Sequence, residues 1–129
     1  MTPILAFDIE TVPDVNGIRL LYDLPASLPD DEVVLFAQQK RRAQNGSDFM
    51  QHHLHQVVAI SCCMRWGQDK IHVGTIGEMH DSEEEMIAKF FDLIESHTPQ
   101  LVSWNGGGFD LPVLHYRALI HGIAAARYW

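Results

Sequence analysis

Basic residues are scarce in this chain. Nine Lys and Arg stand against 17 Asp and Glu, giving a formal net charge of −8. That balance argues against broad electrostatic adhesion to nucleic acid or to an anionic membrane. It does not exclude phosphate chemistry, because a site built from acids can meet phosphate through bound cations. Cysteine is scarce too. Cys62 and Cys63 are adjacent within an expected strand, so their side chains face opposite ways and are poorly placed to pair. They read as free thiols in a reducing compartment. No apolar run is long enough to span a bilayer, and the N-terminus lacks the basic region and cleavage site of a signal peptide. A cytoplasmic location without membrane contact is the expectation. No repeat or low-complexity tract appears. What is present, 129 residues of which 47% are hydrophobic, suffices for one domain with its own core.

The chain divides into recognisable elements. Met1 to Ile9 reads as a strand, with Ile4, Leu5, Ala6, Phe7 and Ile9 as its apolar members. Val12 to Leu28 carries Pro13, Gly17 and Pro25, and reads as an irregular ordered connection. A helix is expected from Asp30 to Gln44, acidic in its first turn and basic in its last, with Asn45-Gly46 as its stop. His52, His53 and His55 crowd a short stretch that reads as polar residues leading into a strand, without ligands at zinc spacing nearby. Gln56 to Trp66 and Lys70 to Ile76 form a hairpin around Gly67-Gln68-Asp69. Ser82 with Glu85 makes a capping box, and Met86, Ile87, Phe90, Phe91 and Ile94 recur at helical spacing as a buried face. Leu101 to Trp104 is expected to be a brief buried strand. A last helix carries Pro112 in its first turn and stops at Gly122.

Two stretches carry chemistry. The first strand leads into Asp8 and Glu10, which share one face roughly 7 Å apart, while Leu5, Phe7 and Ile9 share the other. Two acids side by side repel each other and resist burial. A hard divalent cation held by oxygen ligands, Mg²⁺ or Mn²⁺, relieves both problems. The bland reading is that acids gather where a strand reaches water. The second stretch is Asn105-Gly106-Gly107-Gly108-Phe109-Asp110, between strand and helix. Such a turn is a recurrent place to bind phosphate or position a catalytic group. It is neither a P-loop, for lack of the Lys-Ser/Thr that would follow the glycines, nor a Gly-x-Gly-x-x-Gly fingerprint. Asp110 could be a helix N-cap and nothing more. The order hairpin, helix, strand, helix predicts a mixed sheet whose last strand lies parallel to the first and beside it. Asp8, Glu10 and Asp110 would then converge at a switch in strand order.

With both stretches in view, the chain resembles the DnaQ-like, or DEDD, 3′–5′ exonucleases of the ribonuclease H-like fold. Phe7-Asp8-Ile9-Glu10-Thr11 is similar to their first motif, and Asn105 to Asp110 to their second, Asn-x-x-x-Phe-Asp. FDIETVPD and SWNGGGFDLPVLHYRA resemble in particular the group related to the exonuclease domain of family B DNA polymerases. The resemblance implies an α/β, ribonuclease H-like mixed sheet flanked by helices. It implies two-metal hydrolysis of phosphodiesters at a nucleic-acid 3′ end, a single-stranded one, with two Mg²⁺ or Mn²⁺ ions about 4 Å apart. Asp8, Glu10 and Asp110 would be the catalytic metal ligands. Thr11 would lie near the terminal nucleotide, Asn105 would brace the glycine turn, and Phe109 would pack beside the terminal sugar or base, or serve as core.

The family's third motif, Tyr-x-x-x-Asp or His-x-x-x-x-Asp, has no match here. Neither Tyr22 nor Tyr116 has an acid four residues on, and Tyr128 is followed by one residue. The expectation is therefore residues 1–129 as one such domain, its C-terminal part missing before the third motif. Activity could be lost with it, and the exposed apolar surface could drive self-association. The alternative is a non-catalytic module that binds nucleic acid or protein on the same fold. An Asp-nucleophile phosphatase fits less well, because Glu10 stands where that class has Asp.

Overall fold

Alternation of apolar and polar residues does carry the first strand, but further than its apolar run. In the computed structural model, which describes residues 2–126 and 128, β1 covers Ile4–Pro13. Leu5, Phe7 and Ile9 are buried while Asp8 and Glu10 are exposed. The strand expected to end at Ile9 therefore continues past Glu10 to Pro13, since one buried face is enough to hold it extended.

The chain folds as two compact units. One comprises residues 1–11 and 57–129, the other residues 12–56. In the second unit, α1 (Val15–Tyr22) and α2 (Asp30–Asn45) pack Ile18, Val33 and Ala37 with Met50 and Leu54 into a small core. α1 lies where an irregular connection is expected, and this is a correction. Asp14 caps it by accepting the Gly17 N–H at 3.1 Å, and a Cβ on residue 17 would collide with that same carboxylate. Gly17 thus leaves room for the capping carboxylate and does not break the helix. Asp23 in the left-handed region ends α1, and Gly46 (φ 79°) ends α2. The histidine stretch forms a single 3₁₀ turn, His52–Leu54, before the next strand.

The first unit holds the sheet. β2 (His55–Trp66) and β3 (Lys70–Thr75) form the expected antiparallel hairpin, turning at Gly67 (φ 63°). The strand order is β3-β2-β1-β4, with β4 (Gln100–Val102) parallel to β1 and beside it. The strand switch expected from element order is present. β4 itself needs correction: it spans three residues on the sheet's edge, and Gln100 and Val102 are exposed. Trp104, expected inside that strand, lies beyond it and is 93% exposed. An edge strand has one unpaired side, so an apolar composition alone does not bury it.

Two helices cover the apolar face of the sheet. α3 (Glu83–His97) presents Met86, Ile87, Phe90, Phe91 and Ile94, all buried as the 3.6-residue period requires. The Phe90 ring lies 5.1 Å from that of Phe7 and 5.2 Å from that of Phe91. α4 (Asp110–His121) adds Val113, Leu114 and Ala118 and ends at Gly122 (φ 68°), while Leu111 is only partly buried. At the start of α3, Ser82 Oγ accepts the Glu85 N–H at 3.2 Å, one half of the expected capping box, and donates to Glu85 Oε1 at 3.3 Å, where the other half would bring that carboxylate to the Ser82 backbone N–H. Ser82→Ala is expected to cost about 1 kcal/mol, read as a shift of the urea midpoint at constant slope. A midpoint unchanged from the parent would show that the cap is redundant with the helix's packing.

Candidate metal and phosphate site

The site belongs to the first unit and begins with an unequal sheet edge. β4 ends at Val102, opposite Ala6, while β1 runs on. Beyond that point the chain turns through Trp104 and the glycines and starts α4. Asn105 takes a left-handed conformation (φ 53°), its carbonyl accepts the Gly108 and Phe109 N–H groups at 3.0 and 3.2 Å, and the Gly106 carbonyl accepts from Leu111 at 2.8 Å. Gly106 is buried, and a Cβ there would strike the Ser103 hydroxyl. A Cβ on Gly108 would come within 2.7 Å of the Asn105 side-chain oxygen. At two of the three glycines a side chain would thus displace the Ser103 hydroxyl or the Asn105 amide, and Asn105 folds over the turn.

This turn delivers Asp110 against β1. Asp110 is 5% exposed, in the first turn of α4, and is not the N-cap; Phe109 holds that position and makes no side-chain capping bond. The backbone N–H of Ile9 donates to the Asp110 carboxylate. The other carboxylate oxygen, Oδ2, is buried with no hydrogen-bond partner among the described residues. Burial pushes the Asp110 carboxyl above the usual carboxylate range. The neighbouring charge of Asp8 pushes it further, Glu10 adds a smaller push, and the Ile9 hydrogen bond opposes them. Asp8 and Glu10 are therefore near enough for Asp110 to feel both charges, and each is exposed on the strand.

Of the other residues expected at the site, Asn105 opens the turn, and its backbone carbonyl accepts from Gly108 and Phe109. Phe109 is partly buried and packs on the main core, so its core role is the visible one. Thr11 follows Glu10 on β1 and is partly buried.

A buried carboxylate oxygen without a donor is costly, by roughly 1–3 kcal/mol. Together with two nearby exposed carboxylates it makes an all-oxygen donor set of the type hard divalent ions take. Among the described residues, no three His, Cys, Asp or Glu side chains stand in an arrangement that could hold an ion as placed. The donor chemistry fits such an ion.

A second polar cluster escapes sequence reasoning. Glu83, the first residue of α3, is 7% exposed, and Arg117 is 4% exposed. Arg117 Nη2 donates to Glu83 Oε1 at 2.5 Å, and Arg117 Nε reaches both carboxylate oxygens at 3.0 Å. His121 Nε2 lies 2.7 Å from Oε1, and the Val57 N–H donates to Oε2 at 2.6 Å. One signal was available: Arg117 and His121 fall in the same helical stripe as Val113, Leu114 and Ala118. A cation inside an apolar stripe needs a buried partner.

The parallel β1–β4 pair, the hairpin on its other side and the helical layer define a ribonuclease H-like α/β fold, with acids gathered at the strand switch. The chain belongs to the family of predicted 3′-5′ exonucleases related to the exonuclease domain of PolB, whose profile matches residues 47–129. That match contains Asn105, Phe109 and Asp110; Asp8, Glu10 and Thr11 precede it. DNA polymerase 1 of Sulfolobus acidocaldarius is 40% identical over 42 residues, 33% of this chain and 5% of that protein. DNA polymerase 1 of Sulfurisphaera ohwakuensis is 46% identical over 44 residues, 34% of this chain and 5% of that protein. The family B DNA polymerase from the hyperthermophilic archaeon Pyrobaculum calidifontis shares the fold over 97% of this chain, with a TM-score of 0.51 and 21% identity, and this chain covers 12% of that one. The chain thus spans a small fraction of the length of these relatives. None of the helices among the described residues is long and apolar enough to cross a membrane.

Proposed function

We propose that this chain carries the acidic site of a metal-dependent 3′–5′ exonuclease acting on single-stranded nucleic-acid ends, with Asp8, Glu10 and Asp110 as the ligands of Mg²⁺ or Mn²⁺. The observation that carries the reading is the buried, unpartnered Oδ2 of Asp110 between a glycine turn and two exposed strand acids. When bound, a pair of divalent ions supplies an activated water and neutralises charge on the scissile phosphate and leaving oxygen. The protein's own contribution is placement. β1 holds Asp8 and Glu10 on one face, and rotation of their exposed side chains closes the set around Asp110 at small conformational cost. The glycine turn lets a phosphate approach the backbone closely. Trp104, exposed one residue before that turn, offers an aromatic face of the kind on which single-stranded bases stack.

The second reading is a non-catalytic module that binds a strand end by the same groups. One experiment separates the two. Single strands labelled at the 3′ or the 5′ end, as DNA and as RNA, are incubated with Mn²⁺, Mg²⁺ or chelator, beside an Asp8→Ala control. A metal-dependent ladder shortening from the 3′ end, lost in the control, is the expected result for the enzyme. Metal-dependent binding without shortening would establish the module instead, and neither would remove both.

A further inference from the structure

The buried Glu83–Arg117–His121 cluster does more than join α3 to α4. Asp110 and Arg117 are seven residues apart on α4, hence two turns and about 10 Å along one face. Both are buried and both belong to the first unit. At one end of this face Asp110 reaches the Ile9 N–H on β1. At the other end Arg117 is gripped by Glu83, which also accepts the Val57 N–H of β2. The helix is thereby tied to two neighbouring strands of one sheet through polar contacts of fixed geometry. Arg117 engages Glu83 through Nε and Nη2 together, so the planar guanidinium fixes direction as well as distance. Apolar contacts along the same face tolerate sliding and rotation, because they lack direction.

We propose that Arg117, held by Glu83, is a positioning residue that sets the rotation of α4 and so aims Asp110 at the strand acids. The proposal rests on the metal reading of Asp110 given above. The magnitude is adequate. A turn of α4 by about 20° would move a carboxylate about 5 Å off the helix axis by nearly 2 Å. A working metal or catalytic constellation tolerates only about 0.5 Å. His121, one turn beyond Arg117 and on the same Glu83 oxygen, steadies the grip from the end of the helix.

The test uses the full chain and two replacements chosen to keep it folded. Arg117→Lys retains the charge but not the planar fork. Glu83→Gln with Arg117→Met removes both charges while leaving an acceptor for the Val57 N–H. Three quantities are read: urea stability, Mn²⁺ affinity by titration calorimetry, and exchange of the Ile9 amide relative to the β2 amides by NMR. The expected result for the double variant is a cooperative urea transition, at least a tenfold loss of Mn²⁺ affinity, and selectively faster Ile9 exchange. Arg117→Lys should fall between it and the parent. Mn²⁺ affinity within twofold of the parent together with unchanged relative Ile9 exchange would overturn the proposal and leave the cluster a structural ion pair. If the parent itself binds no Mn²⁺, the metal reading fails separately, and the Ile9 exchange alone then decides whether Arg117 positions Asp110.

Discussion

Asp110→Asn should yield a folded protein that is more stable than its parent without metal and blind to Mn²⁺. The carboxylate is buried, one oxygen has no donor, and Asp8 and Glu10 add like charge. Removing the charge removes that cost, and a gain of about 1 kcal/mol at pH 7 is expected, typical of substitutions that relax a strained functional position. The pH dependence has a definite sign. Because the folded-state pKa of Asp110 is raised, the folded protein keeps this proton where the unfolded chain has lost it. The associated stability is fully present below the ordinary carboxylate range and is lost as pH rises through the raised folded value. Parent and variant should therefore converge in acid and separate toward neutrality, in urea unfolding done with chelator. Adding Mn²⁺ reverses their order: ligand at a hundredfold its Kd stabilises the parent by about 2.7 kcal/mol and leaves the variant unmoved. A variant that is less stable than the parent at pH 7, or that still gains from Mn²⁺, would sink the assignment of Asp110.

Glu83→Ala should be among the most destabilising substitutions in the first unit, at about 3–5 kcal/mol. It removes the carboxylate that grips the Arg117 guanidinium, 4% exposed, and leaves the Val57 N–H without its acceptor. Against a typical domain stability of about 5–15 kcal/mol, that is about a fifth of the total or more. The contrast with an exposed pair is the useful control. Arg42 and Asp48 lie 3.0 Å apart with side chains 64% and 54% exposed, so Asp48→Ala should cost less than about 1 kcal/mol. Equal costs for the two substitutions, measured by urea unfolding, would mean that the buried cluster adds little beyond its area. A neutral outcome for the hydrophobic-leaning double replacement of Glu83 and Arg117 would be compatible with a large cost for Glu83→Ala. Breaking one partner of a buried pair is far worse than replacing both.

Several features were legible because their causes are local. The period of two in β1 puts Asp8 and Glu10 on the face opposite Leu5, Phe7 and Ile9, and they are found exposed and buried accordingly. The N-cap at Ser82 and the apolar stripe of α3 need only residues within a few positions of each other. Gly67 and Gly122 mark a turn and a helix end because both positions have positive φ. Where local signals failed, a longer-range cause outweighed them. α1 went unseen because Gly17 looks like a breaker until Asp14 is found capping onto it. Trp104 looked like core until β4 proved to be a three-residue edge strand.

The pattern of residues by itself determined the element order apart from α1, the strand acids and the glycine turn, since periodicity, capping and turn chemistry act over a few residues. Only the tertiary structure decided that Asp110 is buried with an unpartnered oxygen. That depends on where β4 stops beside β1 and on how α4 folds back, neither of which any short window encodes. The pairing of Glu83 with Arg117, 34 residues apart, was likewise decided in three dimensions. A buried charge takes whichever partner the packing brings to it, and sequence spacing carries no record of that choice.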